Sequence, residues 1–166
     1  VGPYLDAVNV DIKGFREQPH AKYMGARLEP TLRGAELIHE SDTHLELIYL
    51  VIPDLNDDPD ELREFAQWVC EDLDRSVPVH FTRFHPDYKM RDRPATPIDT
   101  LEIAASIARE EGIEFVYIGN VPGHEDDNTH CPDCGATWIR RRGFQATVDV
   151  DLEGTCECGR EIDVVV

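Results

Sequence analysis

Four cysteines near one end of the chain, in "CPDC" and "CEC", have the spacing that most directly implies chemistry. Cys131 and Cys134 are set as in a metal knuckle, where two thiolates converge while the backbone turns back through Gly135. Cys156 and Cys158 stand one residue closer than a C-x-x-C pair, but a C-x-C turn can still present two sulfurs. Tight pairs of this kind in an intracellular chain suggest metal before disulfide. The four cysteines are therefore expected to form a structural zinc site, with His130 as a substitute ligand and four unligated thiols as the alternative. A second constellation is "VNVDIKG". Its two-residue period puts Asp11 and Lys13 on one face and Val8, Val10 and Ile12 on the other. A lysine so placed needs an anion or a carboxylate partner. The pair is either an internal ion pair or a site for an anionic ligand. A third is "HFTRFHPDYKMRDRPATP", residues 80–97, which packs titratable side chains behind a hydrophobic strand. There, His85 is either a ligand-contacting imidazole or an exposed loop histidine. "WIRRRGF" is the one basic cluster, read as a charged hairpin tip or a surface for an anionic partner.

The elements that must position these residues alternate. Strands are expected over residues 8–12, 45–52, 77–84 and 115–118, and helices over 28–40, 59–73 and 96–112. Residues 45–52 form a nearly continuous apolar run, the pattern of a strand covered on both faces. Strands alternating with helices predict parallel βαβ units, in an open sheet or part of a (β/α) barrel. Both architectures place functional groups at the C-terminal ends of strands, which is where Lys13, "PDLND", His85 and "GNVPG" fall. From residue 123 the helical period disappears. Two short strands, 137–141 and 144–150, link the cysteine turns, so the expected domains are 1–122 and 123–166.

Composition narrows the class. The chain has 166 residues, with 34 acidic against 16 basic, a formal charge of -18, and only three lysines. That balance argues against nucleic acid, whose binding relies on cationic neutralisation. A carboxylate-rich, lysine-poor surface suits concentrated salt, where self-repulsion is screened, and reads as halophilic and cytoplasmic. No apolar run reaches membrane-spanning length, no signal-peptide core is present, and no glycine-rich phosphate loop occurs. Starting at Val1 without an initiator methionine, the chain reads as the C-terminal part of something longer.

The strings "VNVDIKGF", "YMGARLEPTL", "LVIPDLND", "HFTRFHPDYKM", "RPATP", "YIGNVPGHEDDNTHCPDCG" and "RRGF" occur in a telling order. It resembles that of the radical SAM enzymes of the AmmeMemoRadiSam system, relatives of pyruvate formate-lyase activating enzyme. The resemblance covers nearly the whole chain. It implies the C-terminal half of a partial TIM-like barrel, followed by a small zinc-ribbon-like β tail. It also implies S-adenosylmethionine and a [4Fe-4S] cluster as cofactors, used together to generate a 5'-deoxyadenosyl radical. Asp11 and Lys13 match a D-x-K at a strand end near that cofactor, and His85 matches a late-strand histidine reaching it. Asn120 and Val121 match the exit loop near the adenine.

The sequence departs from this family by having no C-x-x-x-C-x-x-C cluster loop. Cluster ligands are therefore expected outside this chain, which should be inactive alone. The implied partners are the missing N-terminal half of the barrel and the AMMECR-type and Memo-type proteins of the same system, with no nucleic acid and no membrane. The alternative is a non-catalytic, zinc-ribbon-containing interaction module.

Overall fold

The computed structural model describes residues 4–162 and residue 164. The outer ends of the two expected domains, at residues 1–3 and 165–166, lie outside the described residues. Strand β1 (Ala7–Asp11) leads through two helices, α1 (Glu17–Met24) and α2 (Leu28–His39), to β2 (His44–Val51). Helix α3 (Pro59–Asp72), β3 (Val79–Arg83), α4 (Ile98–Glu111) and β4 (Val116–Gly119) complete an α/β unit. Its four strands are all parallel and stand in the order β1-β2-β3-β4.

Alternation sets the faces. Leu45, Leu47, Tyr49 and Val51 of β2 are buried in one apolar cluster with Val79 and Phe81, and with Phe65, Val69, Leu101 and Ala105 of the helices. Ile12 is fully buried there and Val10 packs against it, so the apolar face of β1 does turn toward the helices. The expectation that β2 is covered on both faces fails. His44, Glu46, Ile48 and Leu50 are only half-buried, because the core formed with α2, α3 and α4 lies on the other face. Near the start of the strands this second face is polar. There the Glu46 carboxylate lies 3.4 Å from His44 Nε2 and 3.2 Å from His80 Nε2.

Local signals explain the helix boundaries. Asp58 caps α3 by accepting from the Asp60 and Glu61 amides, with Pro59 in the first turn. Gly112 ends α4 in the left-handed conformation. Helix α1 is an addition to the expected elements. Its eight residues carry little amphipathic pattern, but His20 is buried, with Nδ1 3.0 Å from the Ala26 carbonyl.

Beyond β4, a 3-10 turn (Glu125–Asp127) precedes an antiparallel sheet of β5 (Thr129–His130), β6 (Thr137–Arg142) and β7 (Gln145–Val148). The sequence pattern gave β6 and β7 but not the two-residue β5. Trp138 is fully buried here, in a second apolar cluster with Phe115, Ile139, Ile162, Cys131 and Cys156. Phe115 leads into β4, so the small sheet is seated at the N-terminal end of that strand. The Arg160–Glu114 ion pair reinforces the contact. Among the described residues, no helix is long and apolar enough to cross a membrane.

The packing between β3 and β4 makes a testable demand. Gly119 pairs with Thr82, and a Cβ on it would lie 2.9 Å from Thr82 Cγ2. Gly119→Ala should cost about 1–3 kcal/mol, the usual penalty of overpacking. Adding Thr82→Ser, which removes that methyl, should restore most of it in urea unfolding. An alanine variant as stable as the parent would contradict the contact.

Candidate cofactor mouth and metal centre

The C-terminal ends of the strands carry a polar frame. Glu61, in the first turn of α3 and 3% exposed, accepts from the Phe15 amide at 2.6 Å. The Tyr49 hydroxyl lies 3.2 Å from the same oxygen and 3.0 Å from the Asn56 carbonyl. Burial first, and then the charge of Glu61, push the Tyr49 phenol well above its ordinary range, so it stays a donor. Asn56 closes the turn after β2, accepting from the Ile52 amide at 2.7 Å and donating to the Leu50 carbonyl at 2.9 Å. Fully buried Thr96 holds the far end of the 80–97 loop. Its hydroxyl donates to the Val51 carbonyl at 2.6 Å and accepts from the Phe84 amide at 3.0 Å. The Arg83 guanidinium adds a bond to the Thr96 carbonyl at 2.8 Å.

On this frame the expected site residues fall as follows. Lys13 and Asp11 project from the face opposite the helices, with Nζ 3.1 Å from the carboxylate and both side chains partly exposed. Lys13 and Asp11 are therefore paired with each other, and both side chains stay accessible. His85 is exposed and makes no hydrogen bond or ion pair among the described residues. Strand β3 ends at Arg83, so its alternation does not carry on to His85. Asn120 is exposed, in the left-handed conformation at φ 62°, and its amide donates to the Arg83 carbonyl at 3.3 Å. The side chain of Val121 instead packs against the main core.

Glu61, Tyr49, Asn56 and Thr96 escaped sequence reasoning. For Glu61 a signal existed, because it stands four residues before Phe65 and eight before Val69, on the apolar stripe of α3.

The four cysteines do come together. Their sulfurs all lie within 4.8 Å of one another, with Cys131–Cys158 and Cys134–Cys156 each at 3.6 Å. Disulfide sulfurs would be about 2.0 Å apart. A tetrahedral ion bonded to sulfur at about 2.3 Å spaces its ligands at about 3.8 Å, close to what is found. The shortened C-x-C pair thus supplies both sulfurs. His130 stands outside the cluster, its ring beside Glu125 and Thr137.

Electrostatics fit a cation among these sulfurs. The Cys158 backbone N–H lowers the Cys156 thiol to about 6. Cys134 is drawn down by the Ala136 N–H, but the neighbouring sulfurs outweigh it and raise the thiol to about 12. Clustered thiols resist successive ionisation unless a cation sits among them. Trp138 Nε1 is buried without a hydrogen-bond partner among the described residues, and a metal-bound Cys156 thiolate would be an acceptor for it.

Comparison with known proteins adds the fold. No protein-family model matches the chain. The chain is 46% identical over 165 residues to an uncharacterized protein of Methanocaldococcus jannaschii, covering 98% of this chain and 49% of that one. It therefore spans about half the length of the curated relative it matches. Among solved structures it is similar to a domain of pyruvate-formate lyase-activating enzyme from Bacteroides vulgatus, with a TM-score of 0.61. That match covers 69% of this chain and 68% of the other at 16% identity. What the two share is the fold.

Proposed function

We propose that this chain is the C-terminal half of a partial (β/α) barrel in a radical SAM enzyme, with residues 1–122 as barrel and 123–166 as a zinc-ribbon-like tail. The observation that carries the reading is the likeness of the four-stranded parallel unit to the activating-enzyme domain. The kinship of its sequence strings to the radical SAM enzymes of the AmmeMemoRadiSam system supports it. So does the relative of twice the length, which leaves room for the missing barrel half as the first partner.

The chain's own cysteines do not suit a [4Fe-4S] cluster. Four are gathered around a space fitting a single ion, and Cys70 lies in α3 with its sulfur 3.5 Å from the Glu111 carbonyl. We therefore assign the cluster ligands to the preceding half.

The mouth suits the polar ends of S-adenosylmethionine better. Lys13 offers an ammonium for its carboxylate, held in place by Asp11. Asn120 and the Val121 backbone form a rim for the adenine, and His85 is free to turn toward the cofactor. Bound there with the cluster, S-adenosylmethionine would supply reductive cleavage and hydrogen abstraction from a substrate. The chain's part is to orient that cofactor, wall off water and leave the ribbon's ion at the opposite end of the strands as a structural element.

The longer protein, reconstituted anaerobically with iron and sulfide and then reduced, should convert S-adenosylmethionine to methionine and 5'-deoxyadenosine. A loaded, reducible cluster with no such conversion would overturn the proposal. In that protein Lys13→Ala should weaken S-adenosylmethionine binding about tenfold or more, the worth of one charge-assisted hydrogen bond. The cluster's visible absorption should be unchanged. Wild-type affinity in the variant would reduce Lys13–Asp11 to an ion pair.

A further inference from the structure

Strand β7 is the outer strand of the small sheet, whose order is β5-β6-β7. A tight turn, with Gly143 at φ 60°, joins it to β6, and the Arg142–Gln145 pair closes that turn. All of its residues are exposed. Phe144, in the turn, is fully exposed, and Val148 is 46% exposed. In a chain where 30% of the residues are charged, residues 143–148 carry no charge at all. Free strand edges are ordinarily blunted by lysine, proline or inward-pointing charge. This edge has none of these devices.

The hairpin fixes which backbone groups are free. In an antiparallel pair, residues alternate between those that exchange hydrogen bonds with the neighbouring strand and those that do not. The Asp149 amide, just past β7, donates to the Trp138 carbonyl at 2.9 Å. By alternation Gln145 and Thr147 also address β6. Ala146 and Val148 turn their N–H and C=O groups outward, where no strand among the described residues meets them.

An antiparallel neighbour must set its own outward residues against these, and a second copy of β7 does so when centred on Ala146. Ala146 then faces the partner's Ala146, and Phe144 comes beside the partner's Val148. Phe144, Ala146 and Val148 are spaced two apart, so these apolar contacts gather on one side of the seam. The charges agree with this direction. Arg140 is paired with Asp149, but Arg142, next to the turn, has no carboxylate at ion-pair distance among the described residues. The other end of β7 runs into Asp149, Asp151 and Glu153. Antiparallel pairing lays the basic end of each copy beside the acidic end of the other, whereas parallel pairing would set like against like.

We propose that two copies of this chain associate by antiparallel pairing of their β7 strands about a twofold axis at Ala146, joining the two small sheets into one. The seam is short, so the association depends on concentration. It goes beyond the function proposed above, and each can fail without the other.

The test takes the zinc-loaded chain from micromolar to millimolar concentration, in potassium chloride strong enough to screen the charge of -18 on each copy. Sedimentation equilibrium should show the mass rising from one chain toward two. Over the same range the Ala146 amide should exchange severalfold more slowly, while Gln145 and Thr147, already bonded to β6, keep their rates. Phe144→Ser alters a fully exposed side chain and should weaken the association about tenfold, because each dimer loses two aromatic cross-strand contacts. Ala146→Pro removes an outward N–H and spares the β6 ladder, as prolines on sheet edges do. It should abolish the association and leave the NMR signals of β5 and β6 in place. A single-chain mass at millimolar concentration, or a doubled mass with Ala146 exchanging as fast as before, would overturn the proposal. So would a Phe144→Ser chain that associates like the parent.

Discussion

Glu61→Ala should lower the stability of the chain by about 3 kcal/mol, a large effect for a single polar side chain. The residue is almost wholly buried and is the acceptor for the Phe15 amide, with the Tyr49 hydroxyl close by. Removing it leaves a backbone donor without a partner in a place water reaches poorly, and opens a small cavity beside Gly14. Glu61→Gln, which keeps an acceptor oxygen and most of the volume, should lose about half as much. Urea unfolding measures both. The local consequence is sharper, because the Phe15 amide ties down the segment that carries Lys13. Its hydrogen exchange should quicken in the alanine variant more than that of amides in the middle of β2. If Phe15 exchanges at its parental rate, Glu61 is merely a tolerated buried acid, and the frame assigned to the mouth does not exist.

Cys131→Ser should abolish the metal and the small sheet with it. The chain purified without chelator should contain about one zinc ion, held by four thiolates, and the variant almost none. So small a sheet has little apolar core, essentially Trp138 with Phe115, Ile139 and Ile162, so the ion must supply much of its folding energy. In the variant, signals from β5, β6 and β7 should collapse toward unfolded positions. Those of β1 to β4, whose core is separate, should persist. A strong chelator should do the same to the parent, reversibly on adding zinc. Iron in the purified protein would keep the site but refute zinc. An unchanged metal content in the serine variant would refute the site.

Much of this was legible because simple periods report on burial. The three longer helices and all four parallel strands follow from stripes such as Leu62, Phe65 and Val69 and from alternations such as Val8, Val10 and Ile12. The cysteine pairs announced themselves by spacing alone. What could not be read is instructive. Helix α1 has almost no apolar stripe, since it covers a rim rather than a core, and its one buried residue is a histidine. The apolar run of β2 suggested two buried faces, yet Ile48 and Leu50 stand half-exposed on a face that no helix among the described residues covers. Thr96 acts through backbone groups of Val51 and Phe84 that the fold brings close, which no local pattern encodes. The expected convergence of His85 with Asp11 and Lys13 rests on topology alone, because β3 stops two residues short of His85.

The strand order has a consequence for how the chain acquires its shape during synthesis. Each strand pairs with the one immediately before it. The partners Ala7 and His44, Leu47 and Val79, and Val79 and Val116 are all separated by similar stretches of sequence. No strand must wait for a distant segment or be threaded between two already in place. The sheet can grow by accretion, one strand and its helix at a time, as the polypeptide leaves the ribosome. Such growth is directional. The latest strand always offers the open edge to the next arrival, while the other edge of β1 stays unpaired among the described residues. A ribosome-arrest series stopping after each helix should therefore yield protease resistance in steps, beginning once β2 and α3 have emerged.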